Sequence, residues 1–457
     1  MKIQRLLVGL ALLLVSGLLH AQEAAPPPEA SARFLIERIT VEGTKAAAAN
    51  IIRAESLLRE GGSYSEDQLR QAIYKIHRLP FVLDASFSLR KGSQRGAYEL
   101  VIEVQPAQWF FFDHWLRYSR FDEPLDLEES ITTNMGSSFV AGGLAGARLF
   151  VGRSGVLFAA LDSEEGVQAG FTQYDLFHKG ILASAGISRD DCCVREILPL
   201  TLDPTFSFWS FGRSQKTSLS LVVPLGGRQS IQGVVSERRG DAANRQEVLV
   251  GSRRQNLYLY NGDLTYRRAE AKWVYDTSDD PLLPTRGVVM SAGLEASRFS
   301  GRGLEAFQSS PGSFEAVPVH LPSFSSEQVV AALSGIRHWS VTPRQTVSAS
   351  GRVSAGRSDV DGLVSQSGRV LGRFDVDSYG ASAGVQHAVN LRRTRRVGDL
   401  MDVRLESGLE VGVERTTPDV GPSPLERFSA SVGLVFRNKW GRIRATLSYL
   451  DLGEVFR

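Results

Sequence analysis

Two periodicities divide the chain. Residues 34–41 alternate, with Phe34, Ile36, Arg38 and Thr40 on one parity and Leu35, Glu37, Ile39 and Val41 on the other, and the run stops at Gly43, as a strand does. Residues 46–58 favour a helix closed by Gly61 and Gly62. Ser65 opens a second helix with Gln68 as its capping-box partner, and Leu69, Ala72, Ile73, Ile76 and Leu79 recur at helical spacing up to Pro80. Two strands follow, 82–90 and 98–104, joined by a turn that contains Lys91, Gly92, Ser93 and Gly96. The pattern predicts a small βααββ module.

From Trp109 onward helical periodicity disappears. Met401, Val403, Leu405, Leu409, Val411 and Val413 hold one parity, while Asp402, Arg404, Glu406, Glu410 and Glu414 hold the other. Similar strands are predicted over 217–223, 257–266, 270–276, 288–296, 328–339, 346–356, 381–391 and 428–437. In a soluble sandwich the apolar face turns inward; in a transmembrane barrel it meets lipid and the charges line a wet lumen. The cluster Trp109, Phe110, Phe111, Phe112 and Trp115 fits a buried core or the aromatic belt of a bilayer. Its place between a polar module and amphipathic strands favours the belt. The remaining length accommodates about 14 to 16 strands of roughly 9 to 11 residues with turns and outer loops.

Lys2 and Arg5 precede an apolar run, 6–19, and Ala21 stands before Gln22, which is the order of a secretory signal. The run is shorter than the roughly 20 apolar residues of a span and is interrupted by Gly9, Ser16 and Gly17. The absence of a cysteine after the cleavage region argues against a lipoprotein. Beyond it no long apolar stretch occurs, so a membrane would be crossed by strands. The expected domains are a signal peptide (1–21), a Pro/Ala-rich leader with Pro26, Pro27 and Pro28 (22–33), the module (34–105) and a barrel (106–457).

The balance of 52 basic and 50 acidic residues gives no case for nucleic acid. Cys192 and Cys193 are adjacent; free or loop cysteines are favoured over a strained disulfide between neighbours, and nothing nearby completes a metal site.

The stretches FLIERITVEGT, LLREGGSYSEDQLRQAIYKIHRLPFV, SFSLRKG and YELVIEV resemble a polypeptide-transport-associated (POTRA) domain. The resemblance implies a periplasmic dock that binds an extended client by adding it to an open strand edge. By the family's topology that edge is Ala85, Ser86, Phe87, Ser88, Leu89 and Arg90. The plainer alternative is an ordinary solvated edge guarded by Arg90 and Lys91.

The turn VYDTSDDPLLPTRG, 274–287, resembles the BamA/TamA superfamily of outer-membrane assembly factors. The landmarks that follow in the family have counterparts here in an outer loop (297–326), a hairpin around Pro343 and an inward loop (358–379). The resemblance implies a mainly β fold: a transmembrane antiparallel barrel of about 16 strands behind one POTRA-like α+β domain. The inward-loop tip departs from the family pattern: RVLGRF transposes Gly372 and Arg373 before Phe374. Arg373 could reach Glu406, Glu410 or Glu414 on the barrel wall, or be an ordinary lumen arginine. Only four strands are legible after this loop where the family has five, and the chain ends in Phe456 and Arg457 rather than on an aromatic residue.

Gly380 to Gly384 spells G-x-S-x-G, but Ser382 opens an alternating segment with no helix after it, so the hydrolase reading lacks its elbow. Arg392, Arg393, Arg395 and Arg396 suit anionic lipid or, more simply, a solvated periplasmic turn. The reading is a non-enzymatic outer-membrane protein without cofactor or metal. Its partners would be unfolded outer-membrane or secreted polypeptides, outer-membrane lipids and accessory assembly proteins. Its function would be insertion or translocation of clients. The alternatives are a dedicated two-partner secretion pore and a passive, porin-like or structural barrel.

Overall fold

The computed structural model describes residues 32–122, 135–163, 166–190, 194–196, 209–226, 228–242, 246–250, 253–279, 284–309, 316–320, 323–361, 374–396, 399–417, 425–438 and 440–452. The signal and leader, both cysteines, Gly372 and Arg373 lie outside them.

The module consists of β1 (Arg33–Glu42), α1 (Ala46–Ser56), β2 (Ser63–Ser65), α2 (Glu66–His77), β3 (Val82–Lys91) and β4 (Ala97–Pro106). Its sheet has the order β2-β1-β4-β3, with β1 parallel to β4 and β3 antiparallel to it. The capping box is present: Gln68 N donates to Ser65 Oγ and Ser65 N to Gln68 Oε1. Helix α1 ends before the expected glycines, because Leu57 already adopts a left-handed conformation at φ 56°. The buried apolar positions of both helices, Ile51, Ile52, Leu69 and Ile76, close over Ile36, Leu100 and Ile102 of the sheet.

The second unit is a closed barrel. Its long strands are β5 (Phe110–Asp122), β6 (Met135–Val151), β7 (Gly155–Asp162), β8 (Gly166–Leu176), β9 (Ile181–Asp190), β11 (Trp209–Gly226), β12 (Gln229–Ala242), β14 (Arg253–Asp276), β15 (Gly287–Ser309), β17 (Phe324–Thr342), β18 (Gln345–Asp361), β19 (Phe374–Arg396), β20 (Asp399–Thr417), β21 (Leu425–Asn438) and β22 (Gly441–Leu452). Three short strands, β10 (Val194–Glu196), β13 (Gln246–Val250) and β16 (Ala316–His320), extend the wall. Pairing of β9 with β11 and of β22 with β5 closes the ring at fifteen long strands.

An odd count has a topological consequence. Strands alternate in direction, so the first and last point the same way, and β22 pairs with β5 in parallel from Gly441↔Phe112 to Asp451↔Asp122. Four strands follow residues 362–373, and β22 therefore ends at the rim far from the module.

The walls are longer than expected. Residues 257–266 and 270–276 belong to one strand, β14, because the outward parity of Arg267, Ala269, Ala271 and Trp273 runs on without a break. The expected outer loop over 297–326 is corrected in the same way: β15 continues to Ser309 and β17 begins at Phe324. The expected inward loop over 358–379 is corrected at both ends, since Ser358 pairs with Val376 and Val360 with Phe374; residues 362–373 lie outside the described residues. Arg392 to Arg396 pair with β20 rather than forming a turn.

The alternation resolves as lipid-facing outside. Leu219, Leu294, Leu409 and Leu447 are 58%, 60%, 55% and 61% exposed on the outer face, whereas Asp402 and Arg404 are buried inside. No described helix is long and apolar enough to cross a membrane.

Candidate functional site

The module sits in the mouth of the barrel. Phe150, Val156, Tyr174 and Leu182 point into the lumen, against the apolar-out rule, and they share one apolar cluster with module residues. Phe81 at the start of the module's hairpin is the hinge of that contact, edge-on to Phe150 at 5.0 Å and to Tyr174 at 6.0 Å between ring centroids. Two lumen arginines donate to module carbonyls, Arg148 to Pro80 and Arg437 to Leu83, the latter at 3.4 Å. Arg148 also lies 4.5 Å from the centroid of the Phe111 ring. Leu57 presses on Gly180, where φ is +66° and any Cβ would meet the leucine side chain.

The Asp-rich turn contributes to the same seat. Asp279 accepts from Thr285 N at 2.8 Å and from Arg286 N at 3.1 Å, which ties the turn together. Gly287, at φ +111°, passes too close to the Thr277 backbone to carry a side chain. Asp276 accepts from Ser278 N at 3.0 Å and Ser278 Oγ at 2.7 Å, and Ser278 Oγ stands 2.9 Å from Tyr74 Oη of α2. The motif thus forms a periplasmic turn that receives the module.

Beside these contacts a cavity of about 960 Å³ opens between module and barrel, lined by Tyr74, Lys75, Arg78, Ser86 and Phe87 on one side and Tyr174, Arg228 and Asp276 on the other. Glu55 faces it, half-buried; burial pushes its carboxyl up to about 7, opposed by Lys75 and Arg78 and reinforced by Asp175. Burial likewise lowers Lys75, with Glu55 pulling the other way.

Ala85, Ser86, Phe87, Ser88, Leu89 and Arg90 all lie on β3, the outer strand of the module sheet. His77 Nε2 sits 3.0 Å from the carbonyl oxygen and 3.3 Å from the amide nitrogen of Ala85, so the main-chain groups of Ala85 point away from β4 and are covered by α2. Those of Phe87 and Leu89 share that parity and point the same way, while Ser86, Ser88 and Arg90 turn theirs toward β4. Arg90 pairs with Glu42 at 2.9 Å at the far end. The edge reaches the cavity at Ser86 and Phe87, and of these Phe87 has the outward-pointing main chain; Leu89 continues that edge beyond the cavity lining.

Of the inward-loop tip only Phe374 falls within the described residues. Phe374 is the first residue of β19, and Gly372 and Arg373 lie outside the described residues. On β20, Glu406 pairs with Arg404 at 3.2 Å, Glu410 is exposed, and Glu414 lies further toward the far rim. Sequence reasoning missed the seat; its signal was the run of lumen-parity Phe150, Val156, Tyr174 and Leu182. It also missed the seam contact, in which Arg442 of β22 donates to Asp113 of β5, with Nε to Oδ1 at 3.2 Å. Among the described residues no group of His, Cys, Asp or Glu is placed to hold a metal ion.

Residues 34–107 match the POTRA family described as the surface antigen variable number repeat. No curated protein matches the chain. Among solved structures it is similar to BamA from Haemophilus ducreyi lacking POTRA domains 1–3, at 12% identity over 93% of this chain and 82% of that one, with a TM-score of 0.42. CdiB from Escherichia coli aligns at 12% identity over 91% and 87%, with a TM-score of 0.32. OmpT of Vibrio cholerae aligns at 10% identity over 67% and 87%, with a TM-score of 0.31. With a POTRA domain as its first folded unit and a closed barrel with an apolar outward face as its second, the chain is an outer-membrane β-barrel protein with its POTRA domain in the periplasm.

Proposed function

We propose that this protein captures extended polypeptide clients on the β3 edge and inserts or translocates them through the barrel. The observation that carries the reading is the edge at Phe87, which lines a cavity of about 960 Å³ at the barrel mouth. Main-chain bonds from such an edge are independent of client sequence, and the client's alternate side chains would enter the cavity. The next stage would use the β22–β5 seam. A strand inserted there from the far rim toward the periplasm runs antiparallel to both neighbours, so it replaces one parallel ladder with two antiparallel ones. Client folding and burial of its apolar face would supply the free energy.

The test is depletion of the protein with rescue by the full chain or by a Leu89→Pro chain, reading the outer-membrane and secreted proteomes. Loss of many barrel proteins, restored only by the full chain, supports general assembly; loss of one secreted protein points to dedicated export. No change in either fraction overturns the proposal in favour of a passive barrel.

A further inference from the structure

The outer wall carries charge in an ordered place. Two adjacent cross-strand rows run over β9, β11, β12, β14, β15 and β17: Arg189, Gln215, Arg239, Thr265 and Ser300 in the upper, and Thr217, Glu237, Arg267, Arg298 and Glu327 in the lower. All share the parity of the exposed Leu219, Val235 and Val329, so they face the membrane side. Arg239, Arg267 and Arg298 keep 67%, 56% and 53% of their side chains exposed while pairing with Glu237 or Glu327. Within the two rows four arginines face two glutamates; Asp359 of β18 continues the lower row beside Glu327, and Asp241 and Asp263 lie in the row above with Arg302, so the excess of positive charge is centred on Arg239, Arg267 and Arg298.

Directly beneath, the next row toward the periplasm is apolar: Leu219, Val235, Ala269, Ala296 and Val329 lie in register. The two alanines between larger neighbours sink the wall into a depression of about 780 Å³ that also reaches Arg267 and Arg298. Glu237, Arg267 and Arg298 lie about 8 to 11 residues along their strands from the periplasmic rim. At roughly 2.5 Å of height per residue for a strand tilted about 40°, that is ~20–28 Å, the top of an apolar band about 25 Å tall. The arginines therefore meet the headgroups of the outer leaflet, and the depression meets acyl chains.

We propose that this face binds a phosphorylated lipid of the outer leaflet, with its phosphate between Arg239, Arg267 and Arg298 and one acyl chain over Ala269 and Ala296. Guanidinium forks suit phosphate oxygens, and the glutamates hold the arginines in place without neutralising them all. The proposal is independent of how clients are handled.

The full chain is placed in phosphatidylcholine nanodiscs doped with diphosphorylated lipid A, and retained lipid is counted by native mass spectrometry. The controls are the dephosphorylated lipid and inorganic phosphate. Retention of the phosphorylated lipid is expected, falling at least tenfold in Arg267→Gln/Arg298→Gln. It should be unchanged in Arg337→Gln, an outward arginine 5.3 Å from the Trp339 ring centroid near the periplasmic rim. Heat-modifiable migration confirms that both variants fold. Equal retention of the dephosphorylated lipid, competition by inorganic phosphate, equal loss in Arg337→Gln, or a change in oligomeric state in place of lipid loss overturns it.

Discussion

The ring of Phe81 stands edge-on to that of Phe150, 5.0 Å away at 88°, and this pair joins the core of the POTRA domain to the lumen wall of the barrel. The two units therefore share apolar contacts and need not melt independently. Phe81→Ala removes the common ring from both Phe150 and Tyr174 and is expected to cost about 3–5 kcal/mol. Protease susceptibility of the module should rise while the barrel keeps its heat-modifiable migration. A module as resistant as that of the unaltered chain would contradict the shared core.

The seat is also expected to respond to protons. Glu55 is raised from the ordinary carboxylate value to about 7, so the seated state binds a proton that the unseated state releases. Seating is then unaffected by this group below about 4.5, weakens as pH rises toward about 7, and levels off above it. Hydrogen exchange of α1 in the full chain should accelerate across that window, and Glu55→Gln should flatten the dependence at the slow limit. A pH response that survives Glu55→Gln would assign it elsewhere.

Fifteen strands place the end of β22 outside the cell. A cysteine at Asp451 should react with an impermeant maleimide on intact cells, and one at Lys45 should react only after the outer membrane is permeabilised. Protection of both would mean an even strand count.

The seam is held by a parallel ladder and the Arg442–Asp113 pair. Cysteines at Leu116 and Ala445, which are partners across it, should form a disulfide under oxidation. If clients use the seam, the oxidised chain should lose at least tenfold in client insertion and recover on reduction. Full activity of the oxidised chain would move the client route into the lumen.

Much of this was legible in the sequence because alternation and helical spacing are local. Ser65 and Gln68 announce their helix end, and Leu405 and Leu409 announce a lipid face opposite Asp402 and Arg404. What lay beyond reach was relational. Strand ends were underestimated where the wall rises above the apolar band, as at Arg298 to Ser309, because the outward parity turns polar at Arg298, Ser300 and Arg302 while Phe299 faces inward, and Gly301 and Gly303 interrupt the period. The seat on the barrel depends on Phe150 and Tyr174 meeting Phe81 across the chain, which no local window contains. The parallel seam follows from parity, and parity requires every strand to be counted.

The most direct test of client capture is a photocrosslinking amino acid at Phe87 in living cells, compared with the same group at Arg38, exposed on β1 two strands away from the β3 edge. The account predicts adducts with unfolded outer-membrane or secreted polypeptides from Phe87 that are lost in a Leu89→Pro background, with far fewer from Arg38. Equal crosslinking from both positions, or adducts that persist with Leu89→Pro, would contradict strand addition on β3.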